Sequence, residues 1–152
     1  RDANFLADYV EETRSEFNVN RLFIDAFEQI SSPSGQSSPD AKRAFEEAIN
    51  AGKIMINYTG HGNEAQLTVE KIIDENQISK LQNRTRLPFF ITATCEFGNY
   101  DNPNRVSGGE KTFLNPNGGA IALLTSTRPV FSNTNFILNQ AYYYAAMQKI
   151  DG

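Results

Sequence analysis

The chain has 152 residues, 39% of them hydrophobic and 21% charged, which suits one soluble globular domain. Its net charge is -4 and its 14 Lys and Arg residues are scattered without a basic stripe or aromatic platform, which argues against nucleic acid as the main partner. No apolar run approaches the ~20 residues of a membrane helix, and a single cysteine cannot close an internal disulfide.

The sequence opens at Arg1, without methionine, directly on a helical pattern. It therefore reads as a piece of something longer, forming a single domain or subdomain over 1–152. Residues 3–17 carry Phe5, Leu6, Tyr9, Val10 and Phe17 at helical spacing with acids between. Arg21–Phe27 (RLFIDAF) is predicted to be a strand ending near Asp25. Residues 31–39 (SSPSGQSSP) read as a low-complexity loop, and Pro39 opens a helix over about Asp40–Asn50 with Gly52 as its stop.

Lys53–Gly62 (KIMINYTGHG) is a short apolar run leading to His61, and Leu87–Gly98 (LPFFITATCEFG) is a second one, started by Pro88 and leading to Cys95. Between them, Thr68–Gln82 is expected to form one helix or two short ones; Thr68 with Lys71 is not a capping box. A polar loop (98–109), a short helix near Glu110–Leu114 and a strong turn at Asn115–Gly119 (NPNGG) follow. Ala120–Ser126 (AIALLTS) is the fourth predicted strand, and Asn133–Lys149 is a closing helix with Phe136, Ile137, Leu138 and Tyr142 on or near one face.

Helices alternating with short buried strands call for an α/β fold. The expectation is a parallel sheet covered by helices on both faces, a three-layer sandwich with right-handed crossovers. Ligands and chemistry belong at the carboxyl ends of such strands. The residues after the four strands, Asp25, His61, Cys95, and Thr127 with Arg128, are therefore expected on one rim. Cys95 is the only cysteine and His61 the only histidine. An adjacent imidazole can hold a thiol as thiolate, so the pair suits a cysteine nucleophile and its base. Gly60 and Gly62 leave the backbone around His61 uncrowded. The backbone N–H groups of Gly62 and Cys95 are candidates for an oxyanion hole. Asp25 is the candidate orienting acid, with Glu64 and Glu96 as alternatives closer in sequence. A non-catalytic α/β module that binds a ligand at the same rim remains open.

Other patterns carry less. Ser107–Thr112 (SGGEKT) fails as a phosphate-binding loop because Glu110 interrupts the Gly-Lys step. Asp101, Asn102 and Asn104 offer oxygens of the kind calcium takes, in a loop type that is usually just solvated. One cysteine and one distant histidine make no structural zinc site, so neither a metal nor a cofactor is expected. Asn57 and Asn83 each stand in a glycosylation sequon.

The wording of three segments is specific: NYTGHGNE at Asn57–Glu64, TATCEFGNYDNP at Thr92–Pro103 and NPNGGAIALLTSTRPV at Asn115–Val130. From about Arg21 to Asn135 the chain resembles the gingipain-type cysteine peptidases of the caspase-like clan, most closely their type IX secretion sortase branch. The resemblance implies the caspase-like sandwich and peptide-bond cleavage through a thioester, with Cys95 as nucleophile, His61 as base and Gly62 in the oxyanion hole. It implies Thr125, Ser126, Thr127 and Arg128 as lining the primary specificity pocket, and an acidic triad member upstream of Arg1. For the sortase branch it further implies removal of carboxy-terminal signals from secreted cargo and transfer of the acyl group to an amine on lipopolysaccharide. The setting would be the outer-membrane surface, among other secretion-system proteins. Plain hydrolysis by a gingipain-like endopeptidase is the neighbouring expectation.

Overall fold

The computed structural model describes residues 2–33 and 35–148. In chain order the elements are α1 (Asp2–Thr13), a 3-10 turn (Ile24–Ala26), β1 (Ile30–Ser32), β2 (Gly35–Ser37), α2 (Pro39–Ala51), β3 (Met55–Thr59) and β4 (Gln66–Leu67). There follow β5 (Ile73–Asp74), α3 (Glu75–Lys80), β6 (Phe89–Ala93), α4 (Gly108–Leu114), β7 (Ala122–Thr125) and α5 (Ser132–Ala146). The central sheet is parallel with strand order β3-β6-β7, so the segment that leads to Cys95 is the middle strand.

Side chains alternate across this sheet, as strand geometry requires. On one face Phe90, with Ile56, Tyr58 and Leu123, packs under Leu67, Ile73, Ile78, Phe97, Ala120 and Phe45 of α2. On the other, Ile91 with Met55, Phe89 and Leu124 packs against Leu6 and Val10 of α1 and Phe136, Tyr142, Tyr143 and Met147 at α5. The result is the expected α/β sandwich with helices on both faces.

Two turns of sequence chemistry set helix starts. Asp74 and Gln77 form a reciprocal capping box at α3, and Ser107 and Glu110 form another at α4. Glu110, the residue that spoils the phosphate-loop pattern, thus closes the first turn of its own helix. The predicted helix over Thr68–Gln82 is reduced to Glu75–Lys80 because Thr68 and Lys71 take left-handed backbone angles (φ 68 and 54), which an α-helix cannot accommodate.

Two predicted elements differ. Arg21–Phe27 is not a strand: Arg21 reaches back along α1 to Asn4, Asp8 and Glu11, and the chain then coils through the 3-10 turn. The 31–39 loop instead holds all but the first residue of the strands of a small antiparallel hairpin, pairing Ile30 with Ser37 and Ser32 with Gly35. Helix α5 is described to Ala146, and the predicted end at Lys149 lies outside the described residues. Its buried members are Asn139 and Tyr143, whereas Ile137 and Leu138 are exposed. Asn83 is buried, with its side chain bonded to both the N–H and the C=O of Gly119, so that sequon is spent on holding the 115–119 turn.

Candidate active site

The parallel ladder between β3 and β6 runs from Met55 opposite Phe89 to Thr59 opposite Ala93. One further bond, from Gly60 N–H to Ala93 O (3.3 Å), extends the contact past the strand ends. The turn after β3 also sits against the residue before the cysteine: a Cβ at Gly62 would lie 2.5 Å from Thr94 Oγ1. Two adjacent parallel strands thus deliver the only imidazole and the only thiol to one edge.

His61 is held by its backbone and Cys95 by its sulfur. The His61 carbonyl accepts from the Tyr58 hydroxyl (2.6 Å) and from Thr68 N–H (2.9 Å), while the imidazole side is exposed. Burial pushes the Tyr58 phenol well above its ordinary range, which keeps it protonated and donating. Cys95 is half-buried; its Sγ accepts from Val130 N–H at 3.5 Å and lies 3.7 Å from Val130 O. Glu96, directly after it, is left-handed (φ 54), the sort of sharp turn that lifts a side chain off a strand end.

Gly62 faces Leu67 in an antiparallel bridge closed by Asn63 N–H to Gln66 O and Thr68 N–H to His61 O, so its own N–H points away from the bridge. Neither the Gly62 nor the Cys95 N–H makes a backbone hydrogen bond among the described residues.

Asp25 is placed elsewhere in character. Without a strand at 21–27 it does not emerge at a strand end, and it stands exposed in the 3-10 turn. Glu64 is engaged structurally: its carboxylate accepts from Asn99 Nδ2 (2.5 Å) and from Asn102 Nδ2 (3.0 and 3.1 Å), and its carbonyl from Gly108 N–H. Arg128 joins the same network, donating to Asn99 Oδ1 (2.9 Å) and making a two-pronged pair with Asp101 (2.8 and 2.6 Å). The guanidinium holds the Asp101 carboxyl below the usual carboxylate range. The loops after β3, β6 and β7 are therefore tied together through Glu64, Asn99 and Arg128. Residue-type reasoning singled out Glu64 and Arg128 but not their link through Asn99, since pairing across loops has no local pattern.

Of the four predicted pocket residues, Thr125 and Ser126 line a cleft on the α5 side of the sheet, whereas Thr127 and Arg128 do not. Thr125 Oγ1 accepts from Thr92 Oγ1 (2.6 Å), and Ser126 Oγ donates to Thr94 O. Asp101 is engaged by Arg128, and Asn102 donates its Nδ2 to Glu64 while its Oδ1 accepts from the Asn104 N–H.

The sequence model of peptidase family C25 matches residues 1–150. The chain belongs to peptidase family C25, the gingipain family. Its fold is similar to that of the Porphyromonas gingivalis RgpB pro- and mature domain complex (TM-score 0.77, 18% identity), covering 99% of this chain and 33% of that one. It is equally similar to the Arg-specific cysteine proteinase gingipain R (TM-score 0.75, 17% identity), covering 96% of this chain and 31% of that one. The C25 chain thus spans about a third of the length of these structures. No curated protein matches it by sequence.

Proposed function

We propose that this C25 chain carries the catalytic pair of a cysteine peptidase, with Cys95 as nucleophile and His61 as general base and acid. The observation that supports this is the parallel pairing of β3 and β6, since the segments that leave these neighbouring strands at the same edge carry the sole histidine and the sole cysteine. Cys95 Sγ attacks the scissile carbonyl carbon, and the electrons of its C=O collect on oxygen beside the N–H groups of Gly62 and Cys95. The tetrahedral adduct collapses to a thioester, and His61 gives its proton to the departing amine. A water or an amine, deprotonated by His61, then displaces Sγ.

The acceptor in that second step separates two readings. The similarity of NYTGHGNE and TATCEFGNYDNP to the type IX secretion sortase, PorU, favours an amine. The chain would then remove carboxy-terminal signals from secreted cargo and join the cargo to lipopolysaccharide at the cell surface. Water as acceptor would make it a gingipain-like endopeptidase. An added amine that is incorporated into the acyl product supports the sortase reading, and a purely hydrolysed product removes it.

The dyad itself is tested without substrate. Iodoacetamide alkylation of Cys95, followed from pH 4 to 10, should proceed readily in mildly acidic solution and slow at least tenfold there in His61→Ala. A slow rate that His61→Ala leaves unchanged would overturn the peptidase reading in favour of a binding module.

A further inference from the structure

Glu64 stands three residues after His61, half-buried, and no Lys or Arg among the described residues lies within ion-pair distance of it. Its carboxylate is met instead by amide N–H groups, Asn99 Nδ2 at 2.5 Å and Asn102 Nδ2 at 3.0 and 3.1 Å. A half-buried carboxylate without a counterion in contact is costly unless donors are fixed in place to receive it. Both amides are so fixed. Asn102 Oδ1 accepts from the Asn104 N–H (3.0 Å) and Asn99 Oδ1 from Arg128 Nη1 (2.9 Å), and each bond turns the NH2 of its amide toward Glu64. Asn99 is thereby held between a cation and an anion. The reverse orientation would set its oxygen against the carboxylate and its NH2 against the guanidinium. The order of groups is definite: Asp101 carboxylate, Arg128 guanidinium, Asn99 amide, Glu64 carboxylate.

Both ends of this relay are joined to the reactive pair through the backbone. Glu64 belongs to the turn that carries His61, which the Asn63 side chain stiffens by accepting from the Ala65 and Gln66 N–H groups. Asn99 belongs to the turn that follows Cys95, closed by its own N–H to Glu96 O (3.0 Å). The Arg128 carbonyl accepts from the Glu96 N–H (3.4 Å), and two residues further on the Val130 N–H donates to Cys95 Sγ (3.5 Å). The ladders of β3, β6 and β7 have ended by this point, so loop contacts govern how far the imidazole stands from the sulfur. A misplacement of about 1 Å at a reacting centre can cost on the order of 100-fold in rate.

We propose that Asn99 is a positioning residue: by linking Arg128 to Glu64 it fixes the separation of His61 from Cys95 and so the reactivity of the thiol. Glu64 then acts through the loops, as the anchor of the histidine turn. The inference rests on the peptidase reading, and its own failure would leave that reading standing.

The test measures iodoacetamide alkylation of Cys95 across pH in paired proteins, one with His61 and one with His61→Ala, for the wild type and each variant. The ratio of the two rates reads how strongly the imidazole acts on the sulfur. A direct effect of a new charge on the thiol enters both members of a pair and cancels. Asn99→Leu keeps the net charge, and in mildly acidic solution it should bring the ratio from at least tenfold in the wild type down to about twofold or less. Asn99→Asp sets a carboxylate against Glu64 and should lower the ratio as far. Adding Glu64→Gln to Asn99→Asp transposes acid and amide: the new carboxylate keeps Arg128 and accepts from the new amide. That double variant should recover a ratio within about threefold of the wild type's, since each hydrogen bond in the relay again joins a donor to an acceptor. Full dependence on His61 in Asn99→Leu, or a double variant no better than Asn99→Asp, would overturn the positioning role. Should Asn99→Leu fail to fold, as thermal unfolding of the same samples would report, the comparison of Asn99→Asp with the double variant decides. A wild-type rate indifferent to His61 would instead overturn the peptidase reading itself.

Discussion

Gly62→Ala probes how the histidine turn is seated on the cysteine strand. The Gly62 backbone lies outside the left-handed region, so an alanine there suffers from contact alone. Its Cβ would lie 2.5 Å from Thr94 Oγ1, 3.2 Å from Thr94 Cγ2 and 3.1 Å from Gln66 O. None of these can give freely. Thr94 is buried beneath the turn, and Gln66 O is pinned by Asn63 N–H at 3.0 Å. Inserting a methyl into such a site typically costs about 1–3 kcal/mol. The partner change Thr94→Ala removes both side-chain atoms and, with them, a buried hydroxyl that has no hydrogen-bond partner among the described residues. Losing that unmet hydroxyl offsets part of the cavity left behind, so Thr94→Ala alone should cost no more than about 1 kcal/mol. Urea unfolding of the two single variants and the double variant should then show a coupling of roughly 1–2 kcal/mol, with Thr94→Ala rescuing most of the Gly62→Ala loss. Gly62→Ala as stable as the wild type, or strict additivity in the cycle, would refute the packing argument. Iodoacetamide alkylation on the same samples reads whether the displaced turn also withdraws His61 from Cys95.

Other perturbations follow from the same geometry. Tyr58→Phe removes the hydroxyl that holds the His61 carbonyl; it should cost about 1 kcal/mol in unfolding and make alkylation of Cys95 less dependent on His61, whereas an unchanged His61 dependence would show that the hydroxyl does not position the turn. Asp101 beside Arg128, and Glu75 beside Lys111 and Arg105, are both held below their ordinary carboxyl ranges. A depressed carboxyl stabilises the fold fully above its unfolded value, about 3.9 for Asp and 4.3 for Glu, and that contribution disappears as pH falls through the lower folded values. Acid unfolding should therefore begin at higher pH in an Asp101→Asn, Glu75→Gln variant than in the wild type; coincident acid transitions would refute it.

Much of the site is readable from residue pattern because its elements are local. Short β-branched and aromatic runs leading to His61 and Cys95 encode strands, the half-buried β3 and the buried β6, which end two residues before them. The misread stretches are those where a distant partner decides. RLFIDAF has the composition of a strand, yet Arg21 finds Asp8 and Glu11 on α1, and ion pairs between segments leave no trace in hydrophobic periodicity. Residues 31–39 look like a loop because their hairpin is fully exposed on β1 and makes its bonds through the backbone, which composition does not report. In α5 the apolar residues Ile137 and Leu138 face out, while Asn139 faces in to meet Asn57 of β3.

The sequence by itself determined the class of fold and the two residues, His61 and Cys95, that are proposed as the reactive pair. Both follow from short-range periodicity and from there being one histidine and one cysteine to choose between. Only the tertiary structure decided that β3 and β6 are parallel neighbours, that Glu64 and Arg128 brace loops through Asn99, and that Asn139 of α5 turns inward to meet Asn57. The physical reason is the same in each case. A strand's register and a buried polar group's partner are set by residues far away in the chain, and the energy that selects them exists only once the layers have packed.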